Sequence, residues 1–296
     1  MKQSAKLIFL VLLLGAAHLG KAQQEESDVA DADSPGVDEQ NGSNQPSGGN
    51  RVGRIYTGVN AASANQPYAA VLSLNSGSTS TKAMGAIISN TTVLTSASAV
   101  LSAGSITAIT VVVGSSPGIL GGTFRYDYKG YELHSGFDSA TLANDVAIIT
   151  MGSSFAGLTN VQPIAMATTE IAVSTTTRTK CVVLGWGQTT STTTNFRLSQ
   201  ADYELLTDQE CATEFKQSLP SSLLCARSVS GYACNMDGGA PLVCNGQLYG
   251  ILTNQTGCTA SSTPKIQKFA KLPVIRIPWN IPTISNPPRK NYVSCP

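Results

Sequence analysis

Histidine is almost absent from this chain of 296 residues, which contains only two. One of them, His18, lies in an apolar segment near the N-terminus, so His134 is the only histidine in the rest of the sequence. No close pair of cysteines has the spacing that zinc ligands require. We therefore expect no metal site and no cofactor.

Strong charge of either sign is also missing. Only 12% of the residues are charged, and the formal net charge is +1. Residues 23–54 carry seven acidic side chains against two arginines, and residues 55–296 carry 14 basic side chains against 11 acidic ones. Neither imbalance is large enough to attract a nucleic acid or a membrane surface. We expect neither as a partner.

Long hydrophobic runs are missing beyond residues 1–22. This first segment has a basic start at Lys2 and Lys6, an apolar run from Leu7 to Ala17, and small residues at its end. The pattern is typical of a secretory signal peptide, and the run is too short to span a bilayer. We therefore expect a secreted, extracellular protein.

The remainder divides into three parts by composition. Residues 23–54 have almost no apolar side chains to bury, which predicts a disordered, acidic prosegment. Residues 55–281 alternate short runs of Val, Ile, Leu and Thr with Gly, Asn, Ser and Pro, which predicts an all-β domain. Residues 282–296 form a proline-rich tail. The clearest predicted strands are 69–74, 85–88, 93–95, 109–113, 145–149 and 181–185.

Three motifs in the β-rich region resemble those of the chymotrypsin/trypsin-like serine proteases. Leu94–Ala99 reads LTSASA and resembles the run that holds the general-base histidine. Asn144–Ile149 reads NDVAII and resembles the motif of the triad acid. Cys234–Cys244 reads CNMDGGAPLVC and resembles the nucleophile loop. The resemblance implies a chymotrypsin-like fold of two six-stranded antiparallel β-barrels.

Only one of the three triad groups matches the family. Asp145 stands at the position of the acid, but Ser98 replaces the histidine and Gly238 replaces the nucleophilic serine. A serine hydroxyl is not a base near neutral pH, and a glycine has no oxygen with which to attack a carbonyl. His134, in a segment that resembles a surface loop, does not replace the base. We predict a non-catalytic homologue in which Asp145 is a structural hydrogen-bond acceptor for Ser98.

A cleavage site of the family type is also recognisable. Cleavage after Arg54 frees Ile55, and in the family such an N-terminus pairs with the aspartate before the nucleophile, which here is Asp237. Two interpretations stay open: cleavage still sets the conformation, or the segment is an ancestral linker.

Other positions around the implied cleft differ from the family pattern. Met236 replaces a glycine whose N–H serves the oxyanion hole, and Tyr232 replaces the aspartate that binds basic substrates. Thr253 and Gln255 belong to the former substrate-binding strand, and the bulk of Gln255 predicts a plugged specificity pocket. Glycosylation sequons lie at Asn41, Asn90 and Asn254. A glycan on Asn254 would stand in the cleft, and the alternative is an unused sequon.

Seven cysteines in a secreted chain predict disulfide bonds. The bridge that the family usually has beside its histidine is missing, since Met84 and Ala99 occupy both positions. Cys295 is left over, and either pairs with another chain or is capped. The resemblance implies the pairs Cys181–Cys244, Cys211–Cys225 and Cys234–Cys258.

Three functions follow as hypotheses. The first is a secreted binding module that acts as adaptor, decoy or cofactor, with extracellular proteins as partners, among them active serine proteases or their substrates. The second is a residual serine-type endopeptidase with a rearranged active site. The third is a structural partner linked by a disulfide through Cys295. We favour the first.

Overall fold

The computed structural model describes residues 58–114, 123–125, 127–186, 198–254 and 265–276. These residues form β-strands, one turn of 3-10 helix and two short α-helices. The signal peptide, the prosegment and the C-terminal tail that the sequence predicts lie outside them. The strands are β1 (Val59–Asn60), β2 (Ala69–Ser76), β3 (Thr79–Ile87), β4 (Thr92–Thr95), β5 (Ala108–Val113), β6 (Thr123–Arg125), β7 (Tyr128–Leu133), β8 (Ala147–Met151), β9 (Lys180–Gly185), β10 (Ser199–Leu205), β11 (Leu223–Ser230), β12 (Pro241–Cys244), β13 (Gln247–Leu252) and β14 (Ile266–Lys271). The helices are α1 (Ala97–Ser102) and α2 (Asp208–Phe215).

The strands form two sheets. The second sheet in chain order, which contains β9 to β14, closes into a six-stranded antiparallel barrel. Its strands follow the order β10-β11-β14-β13-β12-β9, and β9 pairs again with β10. The short strand β1 adds to β10 through the pair Val59 and Gln200. Along β10, buried side chains alternate with more exposed ones. This two-residue period places one face of the strand in the barrel core.

The first sheet is a curled half-barrel with the order β6-β5-β2-β3-β4-β8-β7. Its outer strands β6 and β7 do not pair within the described residues. Strand β7 is suited to the edge of the sheet because Lys129 and Glu132 are exposed on it. Charged side chains on an edge strand oppose further strand pairing.

Two hydrophobic clusters hold the sheets together. One fills the first sheet and contains Leu72, Val111 and Ile149. The other includes Met84 from the first sheet together with Tyr203 from the second. The second cluster therefore crosses between the two sheets, and the loops that follow β4 and precede β12 meet at this junction.

Both disulfides that the structure describes match the predicted pairing. Cys181–Cys244 joins the neighbouring strands β9 and β12, and Cys211–Cys225 joins α2 to β11. Cys234 is also disulfide-bonded, while its predicted partner Cys258 lies outside the described residues, as does Cys295. Within the described part of the chain, neither helix has the length and apolar character needed to cross a membrane.

Gly239 lies at the closest approach between the two sheets. Its φ angle is +86°, and a Cβ atom at this position would stand 2.2 Å from the carbonyl oxygen of Met84 and 2.2 Å from the hydroxyl oxygen of Thr95. The Thr95 hydroxyl donates a hydrogen bond to the same Met84 carbonyl at 2.6 Å. Only a residue without a side chain fits this junction.

We expect Gly239→Ala to destabilise the protein severely, by more than about 4 kcal/mol, because it adds a backbone clash to the cost of a left-handed side chain. Gly246→Ala is the matched control. Gly246 has a similar φ of +76° but no atom within 4 Å of its Cβ position, so its cost is the left-handed conformation alone, about 1–2 kcal/mol. Urea unfolding measures both variants. Equal losses in the two would contradict the packing at Gly239.

Candidate functional site

A buried carboxylate, Asp145, lies at the centre of the candidate site. The residue has no exposed surface and lies just before β8. Its Oδ1 accepts a hydrogen bond from the backbone N–H of Ser98 at 2.6 Å, and its Oδ2 accepts one from the Ser98 hydroxyl at 2.6 Å. The Ser96 hydroxyl is 3.1 Å from Oδ1. Burial raises the pKa of Asp145 above its ordinary value, although the hydrogen bonds from both serines act in the opposite direction.

The start of helix α1 supplies these donors. Ser96 is the N-cap residue, and its side chain accepts a hydrogen bond from the N–H of Ala99. Ser98 lies in the first turn, where backbone N–H groups have no partner inside the helix. Asp145 satisfies one of them. The sequence predicted the contact with Ser98 but missed Ser96, whose N-cap position before an apolar run was the available signal.

Ser98 also connects the two sheets. Its hydroxyl donates to Asp145 of the first sheet and accepts a hydrogen bond at 3.0 Å from the backbone N–H of Asn254, which follows β13 in the second sheet. Ser98 stands where the family has its general base. Its hydroxyl therefore has one hydrogen-bond acceptor and one hydrogen-bond donor as partners. We call the set Asp145, Ser98 and Asn254 the clamp.

Asn254 lies against Gly238, the residue at the family's nucleophile position. Gly238 is buried, and a Cβ atom on it would lie 2.9 Å from Oδ1 of Asn254 and 3.3 Å from the Cβ of Ala99. The Gly238 carbonyl accepts a hydrogen bond at 2.8 Å from the N–H of Met84. A side chain at Gly238 would have to displace Asn254. The sequence placed Asn254 in the implied cleft as a sequon but gave no signal for its contact with Gly238.

Asp237, the predicted partner of the Ile55 amine, is buried. Its Oδ2 accepts a hydrogen bond at 2.9 Å from the N–H of Cys234. The carboxylate packs against Gly185, where a Cβ atom would stand 2.3 Å from Oδ1. Arg54 and Ile55 lie outside the described residues, so the pairing of Ile55 with Asp237 stays a prediction.

The backbone at Met236 has the left-handed conformation, with a φ of +73°. Glycine adopts this conformation freely, whereas another residue there costs about 1–2 kcal/mol. The resemblance places a glycine at this position. The chain therefore keeps a glycine-like backbone turn while it carries a methionine side chain, and nothing in the structure explains the exchange.

The former specificity pocket presents no negative charge from its described residues. Tyr232 and Thr253 are both buried, and the Thr253 hydroxyl donates to the carbonyl of Lys268 at 3.2 Å. The ammonium of Lys265 lies 5.7 Å from the centroid of the Tyr232 ring. Gln255 lies outside the described residues, so its role as a plug stays a prediction.

The remaining predicted positions are the three sequons and His134. Asn90 is exposed, Asn254 is half-buried with its carboxamide against Gly238, and Asn41 lies outside the described residues. Glycan occupancy of the three stays a prediction. Both ring nitrogens of His134 have partners, since Nδ1 accepts from the N–H of Gly136 at 3.0 Å and Nε2 lies 2.9 Å from the carbonyl oxygen of Arg276. It makes no contact with Asp145.

No group of three or more His, Cys, Asp or Glu side chains in the described ranges could hold a metal ion.

A protein-family model described as Trypsin matches residues 55–272. A trypsin of Sarcophaga bullata is 30% identical over 230 residues, which cover 76% of this chain and 87% of that protein. Trypsin II-P29 of Gallus gallus is 31% identical over 137 residues, or 45% of this chain. The match with this second relative spans about half of its length, 54%.

The fold has a counterpart among solved structures. The structure of neuropsin, a serine protease expressed in the limbic system of mouse brain, superposes with a TM-score of 0.60 at 22% sequence identity. The match covers 73% of this chain and 94% of neuropsin. At this identity the likeness concerns the fold, and it confirms the predicted chymotrypsin-like class.

The raised pKa of Asp145 predicts a pH dependence of stability. Between the ordinary pKa of 3.8 and the raised value, the folded protein holds a proton that the unfolded chain has lost. The contribution of Asp145 to stability is therefore largest in acid and falls as pH rises through this window. We expect the free energy of unfolding of the wild type, minus that of Asp145→Asn, to decline with rising pH.

Urea unfolding across the acidic range measures this difference, and Asp138→Asn is the control of opposite sign. A hydrogen bond from Thr141 lowers the pKa of the exposed Asp138, so its contribution is lost as pH falls. A difference for Asp145 that grows with pH would contradict the assignment.

Proposed function

The chain belongs to the trypsin family of serine proteases, and on that premise we propose that it is a secreted, catalytically inactive member that acts by binding other proteins. The clamp is the observation that carries this proposal. The residue at the base position, Ser98, is committed to Asp145 and Asn254, and the nucleophile position is a buried glycine covered by Asn254.

The size of the catalytic loss supports inactivity. In proteases of this mechanism, removal of the nucleophile or the base lowers kcat about a millionfold. The oxyanion hole and substrate binding alone leave only about 10³- to 10⁴-fold acceleration over water. Here both groups are missing, and Met236 stands where the family has an oxyanion-hole glycine. A substrate carbonyl bound beside Gly238 would meet no nucleophile.

The well-packed scaffold supports binding as the remaining function. Asp145, Asp237 and the core of both sheets are buried, and two disulfides hold the second barrel. Disulfides are typical of proteins in oxidising, extracellular compartments. We propose that the partners are extracellular proteins, among them active serine proteases or their substrates, and that the chain acts on them as adaptor, decoy or cofactor.

The test uses the purified full chain before and after cleavage at Arg54. We expect no labelling by a fluorophosphonate probe and no hydrolysis of peptide substrates in either form, with an active trypsin as positive control. A direct-binding assay and the rate of a protein substrate's cleavage then report whether the chain binds an active trypsin-family protease or changes its turnover. Stoichiometric labelling of a serine, or turnover that the probe abolishes, would overturn the proposal.

A series of variants that restore the family's residues tests whether reaction is prevented only by the missing catalytic groups or also by the Asn254 side chain. We expect Ser98→His with Gly238→Ser to remain unlabelled, because the new serine side chain meets the Asn254 carboxamide. Adding Asn254→Gly to this pair removes that obstacle. Labelling of the double variant at the rate of the triple variant would show that Asn254 does not cover the site.

A further inference from the structure

A cavity lies on the barrel of the second sheet and shares no residue with the clamp. It has a volume of about 290 Å³ and opens to solvent. Its walls come from residues 170–173, from the junction of β10 with α2, and from strands β11, β13 and β14. The cavity is close to the lower end of the size range of small-molecule sites, about 300–1,000 Å³. A ligand for it must be small.

Two buried hydrogen-bond donors line the cavity. Lys271 is 9% exposed, and Tyr249 is 3% exposed. The Tyr249 hydroxyl accepts a hydrogen bond at 2.9 Å from the N–H of Ile171, and the described residues offer its proton no acceptor. Burial raises the pKa of Tyr249, so this hydroxyl keeps its proton and remains a donor. Lys271 and Tyr249 together can bind a carboxylate.

Acidic groups lie beside these donors. The ammonium of Lys271 pairs with Oε2 of Glu170 at 3.1 Å, but the Glu170 side chain is 54% exposed. Asp208, the first residue of α2, is also exposed and lines the same cavity. A buried ammonium with a single exposed partner retains donor capacity, because Lys has three N–H groups. The two carboxylates can receive a cationic group that stands next to a bound carboxylate.

The remaining wall is apolar. Ile171 and Val173 line the cavity and are half-buried, so each keeps some apolar surface in contact with water. A ligand with a hydrophobic body would cover these side chains and remove apolar surface from water. The cavity lining thus combines two buried donors, two acidic side chains and apolar side chains.

We propose that this cavity binds a free α-amino acid with an apolar side chain. The ligand carboxylate contacts Lys271 and Tyr249, its ammonium contacts Glu170 and Asp208, and its side chain packs against Ile171 and Val173. The ligand adds one charge of each sign beside the Lys271–Glu170 pair, so each charged group has a partner of opposite sign. This site is independent of the proposed function, because the clamp contributes none of its residues.

Isothermal titration of the full chain with three probes tests the proposal. The probes are L-leucine, N-acetyl-L-leucine, which lacks the ammonium, and L-leucine amide, which lacks the carboxylate. We expect L-leucine to bind at least tenfold more tightly than either analogue. Absence of binding by L-leucine at millimolar concentration, or equal binding of all three, would overturn the proposal.

Substitutions assign the two ends of the ligand. Tyr249→Phe and Lys271→Met should each weaken L-leucine binding by about tenfold or more. Glu170→Gln should weaken the binding of L-leucine, because it removes the partner of the ligand ammonium. It should strengthen the binding of N-acetyl-L-leucine, because Glu170 competes with the ligand carboxylate for Lys271. Glu204→Gln, which breaks the Arg227–Glu204 ion pair on the same barrel, should change neither. If Lys271→Met does not fold, Tyr249→Phe and Glu170→Gln decide, and unchanged affinities in both would exclude the site.

Discussion

The need to satisfy a buried carboxylate organises the junction of the two sheets. Asp145 has no exposed surface, and an ionised group in that position is stable only when hydrogen-bond donors surround it. In a working triad a histidine is one of these donors. Here the first turn of α1 provides them through Ser96 and Ser98, so the carboxylate remains in place after the base has gone. The same hydroxyl of Ser98 then reaches Asn254 and ties the second sheet to the first.

The neighbouring substitutions agree with this rearrangement. Met84 and Ala99 stand where the family has a disulfide beside its histidine, and both are buried in the cores. Met84 donates its N–H to the carbonyl of Gly238, and Ala99 lies against the Cβ position of that glycine. Small and apolar groups therefore close the space from one side, while Asn254 closes it from the other. Gly238 is part of a packed junction, and a serine placed there would require the Asn254 carboxamide to shift.

Much of the fold and part of the site could be predicted from the sequence. The alternation of short apolar runs and turn residues predicted the strands, and the family resemblance implied the pair Cys181–Cys244 across β9 and β12. The edge of the first sheet could not be predicted, because strand pairing depends on contacts between distant segments. Asn254 was missed for a related reason: its carboxamide meets Gly238 only after β12 and β13 pair. The cavity at Lys271 likewise combines segments about 100 residues apart.

A double-mutant cycle between Ser98 and Asp145 tests most directly whether the triad positions now form a structural clamp. The free energies of unfolding of the wild type, Ser98→Ala, Asp145→Asn and the double variant give the coupling between the two side chains. The account predicts a coupling of about 1–3 kcal/mol, as for a buried hydrogen bond to a charged group. Losses that add to within about 0.5 kcal/mol would contradict it.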